Sequence, residues 1–453
     1  MRPTLPLLLI LAALAIPARA AGLGDERVLG EPLSAAQAAA LPPDALVTRG
    51  RDLFLAKFTS LDGAGRPAAT GAIVPTAAQP DVLPLFFRTA GADSNACRGC
   101  HNDPEPGGAG EFVANAFVSE GFQDADFDTV DPQFSNERGT PALHGSGLVE
   151  LLAREMTRDL RAQRRAAAAR ARTEGRDVTV DLSSKGVSFG ALTVGADGFV
   201  DLSALDGVDQ DLIVRPFSQK GVFVSLRQFT VNALNAHHGM QAAERFGARY
   251  TDADDFDGDG VSNELAEGDV TALVAFQATL PVPAQAGDLG RDTFESLGCG
   301  ACHVPALPLE SAVFTEPNPF NPAGNLRAAE APVVALPLDV SGLRRDDRGR
   351  VLVPLFSDLK RHRIADAERP HYANELLSQR FVDRDIFLTP RLWGVGGTAP
   401  YGHRGDLTTL HEAIVHHGGE ATESRRAYEA LAEPDRRRVI AFLQSLRFGG
   451  SAP

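Results

Sequence analysis

Apolar positions along the chain fall into helical, alternating and irregular stretches. Val439, Ile440, Leu443 and Leu446 recur at helical spacing with arginines on the other face, which predicts an amphipathic helix over Asp435 to Leu446. Pro434 sits near its first turn, where proline is tolerated, and Gly449-Gly450 follow its end. Glu267 to Leu280 reads as a matching helix ended by Pro281. Val178 to Leu182 and Val187 to Val194 alternate, with Gly and Asp between them, and predict a small β insertion. Arg154 to Arg176 is basic but interleaved with Ala, the pattern of a solvated helix face. Pro281 to Gly287 reads as a linker, and Pro317 to Ala331 as a Pro/Ala/Asn-rich loop.

The first twenty residues have a separate pattern. Arg2 precedes an apolar run from Leu5 to Ile16, interrupted only by Pro6, and Ala18-Arg19-Ala20 is a small-x-small cleavage site. Residues 1–20 are therefore expected to be a secretory signal, and the mature protein to be exported to the periplasm. The run falls short of the roughly 20 apolar residues that cross a bilayer, and no cysteine follows the cleavage site to carry a lipid. The expectation is a soluble exported protein rather than an integral membrane one. At 453 residues, 43% of them hydrophobic, the chain has material for two or three domains. A net charge of −15 speaks against nucleic acid as a partner, because phosphate binding needs clustered Lys and Arg.

All four cysteines lie in two C-x-x-C pairs, Cys97/Cys100 and Cys299/Cys302. An exported protein can use such pairs as disulfides, a redox couple or a zinc site. His101 and His303 decide between these, since each directly follows the second cysteine of its pair in a chain with 11 histidines among 453 residues. C-x-x-C-H is the attachment signature of c-type haem. Two thiols about one turn apart add to the two vinyl groups of one porphyrin, and the adjacent imidazole becomes the proximal iron ligand. A structural zinc site would need the two pairs brought together. Two covalently bound haems c are the expected cofactors.

Three segments recur in the same order in both halves. Gly50-Arg51-Asp52-Leu53-Phe54 is echoed by Gly290-Arg291-Asp292-Thr293-Phe294. Thr140 to Gly147 is echoed by Thr389 to Gly396, and Ala275 to Leu280 by Ala441 to Leu446. In register around two haem motifs, they predict tandem homologous domains. The expected fold is mainly α, with two cytochrome c-like domains over 21–283 and 284–453, the first carrying the β insertion. In each, a helix leads to the haem motif, an irregular Gly/Pro-rich wrap follows, and a final helix closes the domain.

Several segments resemble the di-haem oxidoreductase family, relatives of bacterial di-haem cytochrome c peroxidase and MauG. They are Ala96 to Asn102, Leu148 to Thr157, Leu355 to His362, Leu388 to His403, and Glu412-Ala413-Ile414 with His417 to Ala421. The resemblance covers nearly the whole mature chain and is most specific in the C-terminal run. It departs at His403-Arg404-Gly405, where the family usually has His-Asp-Gly. It departs again at His362-Arg363-Ile364, where His-Asp-Met is common; the missing Met removes a thioether ligand that would raise a reduction potential.

The resemblance implies two unequal haems, an N-terminal one with an open or exchangeable position for hydrogen peroxide and a C-terminal one that relays electrons. It also implies a small redox protein or a quinol-linked donor as partner. A non-enzymatic electron carrier with two six-coordinate haems and a haem-dependent oxygenase remain open as alternatives. The His237-His238-Gly239-Met240 cluster is the candidate source of a distal ligand, with His238 and Met240 the donors, or else a helix end with capping histidines. His362 and His403 are candidates for the haem surroundings, as ligand or propionate partner. His416 and His417 are expected to orient the C-terminal wrap. His144 and Trp393 occupy equivalent repeat positions and read as packing residues, with Trp393 also a candidate relay. Glu150 is the candidate distal general acid, against a helix-start carboxylate. Separately, Asp255, Asp257 and Asp259 at positions 1, 3 and 5, with Gly260 at 6 and the Val261 carbonyl at 7, match a calcium loop. Position 12 is Ala266, so Glu264 or Glu267 would have to stand in for the usual glutamate.

Overall fold

The computed structural model describes residues 26–65, 94–111, 113–118, 135–283, 289–375 and 379–448. The expected signal segment, most of the linker and Gly449-Gly450 lie outside the described residues. Helix, at 37%, outweighs strand, at 15%.

The first half contains α1 (Ala35–Ala40), α2 (Pro43–Leu55), α3 (Ser146–Glu174), α4 (Leu226–Ala233), α5 (Ala243–Phe246), α6 (Ala248–Thr251) and α7 (Glu267–Thr279). The second half contains α8 (Arg291–Ser296), α9 (Leu410–Val415), α10 (Thr422–Ala430) and α11 (Glu433–Ser445). Both helices expected from periodicity are present, as α7 and α11. Pro434 falls in the first turn of α11. α7 is buried all round from Gly268 to Ala278, as befits a helix at the centre of a core. α3 buries its apolar N-terminal turns, exposes most of its Arg-rich C-terminal half and stops at Gly175 in the left-handed conformation. The β insertion is a three-stranded antiparallel sheet of Val178–Ser184, Val187–Val194 and Val200–Asp201.

The sequence repeat reappears as repeated contacts. α2 crosses α7, and a Cβ on Gly50 would lie 1.8 Å from the Ala272 carbonyl oxygen. α8 crosses α11, and a Cβ on Gly290 would lie 2.2 Å from that of Arg438. Only glycine permits either approach. One turn further, Gly147 meets the Ala278 carbonyl and Gly396 that of Gln444, each leaving 2.3 Å for a Cβ. Phe54 and Phe276 pack with ring centroids 5.1 Å apart, and Phe294 and Phe442 at 5.3 Å.

The cores do not divide at 283/284. The strand pairs Leu307–Leu309/Val351–Val353 and Val313–Glu316/Val334–Pro337 were not expected from the sequence. Their inward residues, among them Leu307, Phe314, Leu336 and Val353, are buried in the same cluster as α3 and α7. These strands are too short to bury an apolar face alone, so they close over α3. A smaller second cluster gathers Phe294, Phe356, Tyr428, Val439 and Phe442. Charges reinforce the overlap. The fully buried Arg227 holds Glu244 on one side and Glu316 on the other (2.6 and 2.8 Å). Lys185 joins Glu155 to the Pro308 carbonyl (2.6 and 2.5 Å).

Candidate haem-binding centres

Each Cys-x-x-Cys-His motif opens with a short 3-10 turn, Cys97–Gly99 and Cys299–Ala301, that spaces its two thiols by one turn. All four cysteines are half-buried, and none is joined in a disulfide. Among the described residues, no metal-ligating group unites the two pairs, so a shared four-cysteine zinc site does not form. The first motif packs on the larger hydrophobic cluster through Cys97, and the second on the smaller through Cys299.

The two histidines are set identically. His101 Nδ1 lies 3.3 Å from the Gly108 carbonyl oxygen, and His303 Nδ1 lies 3.0 Å from that of Phe356. A carbonyl only accepts, so the proton resides on Nδ1 and Nε2 keeps its lone pair. Phe54 stands 6.2 Å from the His101 ring, and Phe294 6.2 Å from the His303 ring. Burial pushes both imidazoles down to about 4, which keeps them neutral near pH 7. A neutral imidazole with Nδ1–H fixed by a backbone carbonyl is the form that ligates iron through Nε2. The thiol pairs and the oriented imidazoles thus fit a haem at each motif.

The residues beside the motifs differ. At the first, a π-type turn over Leu234–His238 ends α4 and delivers His238, whose Nε2 lies 3.7 Å from Cys97 Sγ. His238 Nδ1 donates to the Ser94 carbonyl at 2.7 Å. Met240 is fully buried in the larger cluster. Arg391, a residue of the other repeat, also reaches this motif. Its Nη2 donates to the Ala142 carbonyl (2.5 Å) and Ser146 Oγ (3.2 Å), and its charge helps to depress His101. Among the described residues it has no carboxylate partner, and burial pushes it down to about 10. The repeat contained the signal, since Arg391 stands where the first copy has Ala142.

At the second motif, His362 and Asp358 gather around Cys302. His362 Nε2 lies 2.7 Å from Asp358, and Nδ1 lies 2.7 Å from Glu420. Burial opposes protonation, but Asp358 and the Cys302 sulfur together outweigh it and push His362 up to about 11. An imidazolium with both nitrogens donating has no lone pair for iron. The structure places His362 beside the second motif, where the sequence expected a haem neighbour. His417, buried and anchored on the Ala413 carbonyl (2.7 Å), adds to the depression of His303. His416 stacks on His371 at 4.3 Å.

Three candidates lie elsewhere or in other roles. Glu150 is fully buried; it pairs with Arg154 and accepts from the Leu226 N–H and Asn318 Nδ2 (both 2.7 Å). These contacts tie α3 to α4 and to the 315–318 segment. His403 is buried among Glu375 (3.1 Å), Phe387 (4.5 Å) and Tyr372, beside Arg138 and Lys220, and touches neither motif. Trp393 is a satisfied core indole, its Nε1–H donating to the Pro354 carbonyl at 2.8 Å, with its ring against Gly145. Its repeat partner His144 lies 3.2 Å from Glu105 and 4.7 Å from the Phe448 ring.

Asp255, Asp257 and Asp259 converge, with oxygens within 4.8 Å of one another. Burial first, and then Asp259 and Asp255, push Asp257 up to about 7. Glu264 does not join them; its Oε2 accepts from the Gln241 N–H at 2.6 Å. Val261 gives its N–H to Asp259 (2.7 Å). No described helix is long and apolar enough to cross a membrane.

No curated protein matches the chain. Among solved structures it is similar to the crystal structure of a MauG-like protein associated with microbial copper homeostasis. That similarity has 17% identity and a TM-score of 0.27, over 68% of this chain and 90% of that one. Residues 374–446 match the family described as "Di-haem oxidoreductase, putative peroxidase". This C-terminal segment is thus similar to the di-haem oxidoreductases, a family of haem-dependent redox proteins.

Proposed function

We propose that the protein is a periplasmic di-haem c-type oxidoreductase that reduces hydrogen peroxide with electrons relayed between two covalently bound haems. The observation that carries this reading is the inequality of the two centres. His238 beside Cys97 donates Nδ1–H to a backbone carbonyl. His362 beside Cys302 is clamped between two carboxylates. The first arrangement suits an exchangeable neutral ligand, and the second a fixed positive charge that holds a proton.

Bound at these motifs, haem iron would supply the redox chemistry, in which hydrogen peroxide takes up two electrons and two protons to give two waters. The chain would do the rest. Cys97 and Cys100, and Cys299 and Cys302, would hold the two groups as thioethers, with His101 and His303 as proximal ligands. The Gly108 and Phe356 carbonyls fix those imidazoles against rotation. The 234–241 segment would line the first centre, with His238 or Met240 as a candidate ligand to its iron. His362 holds a proton between Asp358 and Glu420 at the second. A small redox protein or a quinol-linked donor would deliver electrons to the second centre. The two repeats, 21–283 and 284–453, would each form a cytochrome c-like unit despite their shared core.

The test is an absorption spectrum of the purified holoprotein, fully oxidised and then half-reduced, before and after one equivalent of hydrogen peroxide. Rapid spectral oxidation with peroxide consumed is the expected result. Two low-spin haems unmoved by peroxide in both states would overturn the enzyme reading and leave an electron carrier. Oxygen binding to the reduced protein would point to the oxygenase instead.

A further inference from the structure

We propose that the cleft between α9, α10 and α11 is the electron-entry site of the second centre, and that it takes a small diphenol bearing a carboxylate as reductant. This rests on the reading of Cys299 to His303 as a haem site, and it names the donor class for that haem.

The cleft has a volume of about 550 Å³, within the usual range for small-molecule sites. No residue of either Cys-x-x-Cys-His motif lines it, so it is separate from the space a haem would fill. Arg436, Ile440 and Gln444 recur at helical spacing and make the α11 wall. Opposite them, His411 of α9 and Tyr428 of α10 stand together, with His411 Nδ1 2.9 Å from the Tyr428 hydroxyl.

Arg436 selects the charge of the occupant. Its neighbour Arg437 pairs with Glu433. Arg436 forms no ion pair among the described residues; it donates to the Glu429 carbonyl at 3.3 Å. Burial pushes the Tyr428 hydroxyl up, and the Arg436 charge opposes that rise, so the guanidinium stands close to the phenol. An uncompensated guanidinium on a cleft wall recognises a carboxylate, which it can grip with two parallel N–H donors. Ile440 offers the apolar surface on which an aromatic ring rests.

Tyr428 selects a reductant among aromatic acids. It is 1% exposed and belongs to the second hydrophobic cluster with Phe294, Phe356 and Phe442, and Cys299 packs on that cluster. The Phe442 ring lies 5.3 Å from Phe294 and 5.6 Å from Phe356. Phe294 stands 6.2 Å from the His303 ring, and the Phe356 carbonyl holds His303 Nδ1. Packed side chains thus lead from the floor of the cleft to the proximal imidazole. A tyrosine whose hydroxyl faces a histidine nitrogen can release an electron and a proton together. Tyr428 would pass one electron inward to the ferric second haem and its proton to His411 Nδ1. It would then recover an electron from the diphenol and the proton from His411, while an O–H bond of the diphenol breaks and that proton goes to water. Two such rounds turn the diphenol into a quinone and deliver two electrons, the number that one hydrogen peroxide takes up.

The experiment uses the full mature holoprotein, kept free of oxygen and peroxide. Calorimetry with 3-hydroxybenzoate, which carries the carboxylate but forms no quinone, reads binding. Stopped-flow absorption with 2,5-dihydroxybenzoate reads haem reduction. The expected result is one site with a Kd of about 10⁻⁴ to 10⁻³ M, and reduction of one haem at a rate that saturates with the diphenol. Arg436→Gln should weaken binding about tenfold and abolish the preference for 2,5-dihydroxybenzoate over hydroquinone, which lacks the carboxylate. Tyr428→Phe keeps the buried ring, and should leave binding intact while slowing reduction at least about tenfold. His411→Leu, at an exposed position, removes the proton acceptor and serves if Tyr428→Phe does not fold. Absence of both heat and saturation overturns the site. Undiminished binding in Arg436→Gln overturns the carboxylate anchor. Reduction at the unsubstituted rate in Tyr428→Phe and His411→Leu overturns the entry route. Peroxide is absent from every arm, so a haem that accepts these electrons in a protein unmoved by peroxide would refute the peroxidase reading and leave this one standing.

Discussion

The two Cys-x-x-Cys-His regions are built on one plan and then made unequal. In each, a phenylalanine of the leading helix stands 6.2 Å from the proximal imidazole and packs on a phenylalanine of the closing helix. In each, a backbone carbonyl fixes Nδ1. The difference lies in what is added to that frame. The first region receives His238 on a π-type turn, a three-aspartate loop nearby, and Arg391 borrowed from the other copy. The second receives His362 held by Asp358 and Glu420. The proximal scaffold is what duplication preserved, and the surroundings of the sulfurs and imidazoles are where the copies part.

The largest expected effect breaks that asymmetry directly. His238→Ala should open the first centre, converting one haem from low to high spin and raising its rate of reaction with peroxide by about a hundredfold or more. His362→Ala should leave the spin state of the second unchanged. Stopped-flow spectra of both variants check this, and equal responses would mean the two centres do not differ as described.

Stability effects come next, at the interlock of the regions. Glu150→Ala leaves Arg154 buried without its partner and should cost about 3–5 kcal/mol in urea unfolding, with little change in the peroxide reaction of the folded fraction. A loss of peroxide reaction without a loss of stability would restore Glu150 to a catalytic role.

Glu316 offers a pH test. Burial, opposed by Arg227 and Arg154 and aided by Glu150, pushes it up to about 7. Its folded value lies above its unfolded one, so its contribution is fully present below about pH 4.5 and is lost as pH rises through about 7. Glu316→Gln should flatten that part of the stability profile, by on the order of 1–3 kcal/mol. A profile unchanged between pH 5 and 8 would contradict the assignment.

The smallest effect sharpens the comparison. Arg391→Gln removes an uncompensated positive charge near His101, so the reduction potential of the first haem should fall by some tens of millivolts, about 1 kcal/mol, while that of the second stays put. Spectroelectrochemical titration distinguishes this from a shift shared by both haems.

The motifs and the repeat were legible in the sequence because they depend on local spacing. Cys97 to His101 and Cys299 to His303 announce their chemistry within five residues. α7 and α11 announce themselves through the spacing of their apolar residues or the proline that ends them. What was not legible depends on partners distant in sequence. Glu150 looked like a free carboxylate because Asn318, 168 residues away, is what accompanies it in the interior. His403 sits against Glu375 and Phe387, partners that the sequence did not pair with it. The strands at 307–309 and 313–316 are three and four residues long, too short for alternation to register. Arg391 lies within the repeat, yet its significance lies in what the first copy lacks at Ala142.

The strands between Leu307 and Val353 also bear on the order in which the protein matures. A chain made from its N-terminus presents Cys97 and Cys100 roughly two hundred residues before the segment that closes the first core exists. The second core draws on residues from Phe294 onward and can condense without waiting for anything beyond its own end. The first motif thus has the longer interval in which its thiols remain reachable in an unfinished interior, since the second core is complete at Leu446, about 140 residues after Cys302.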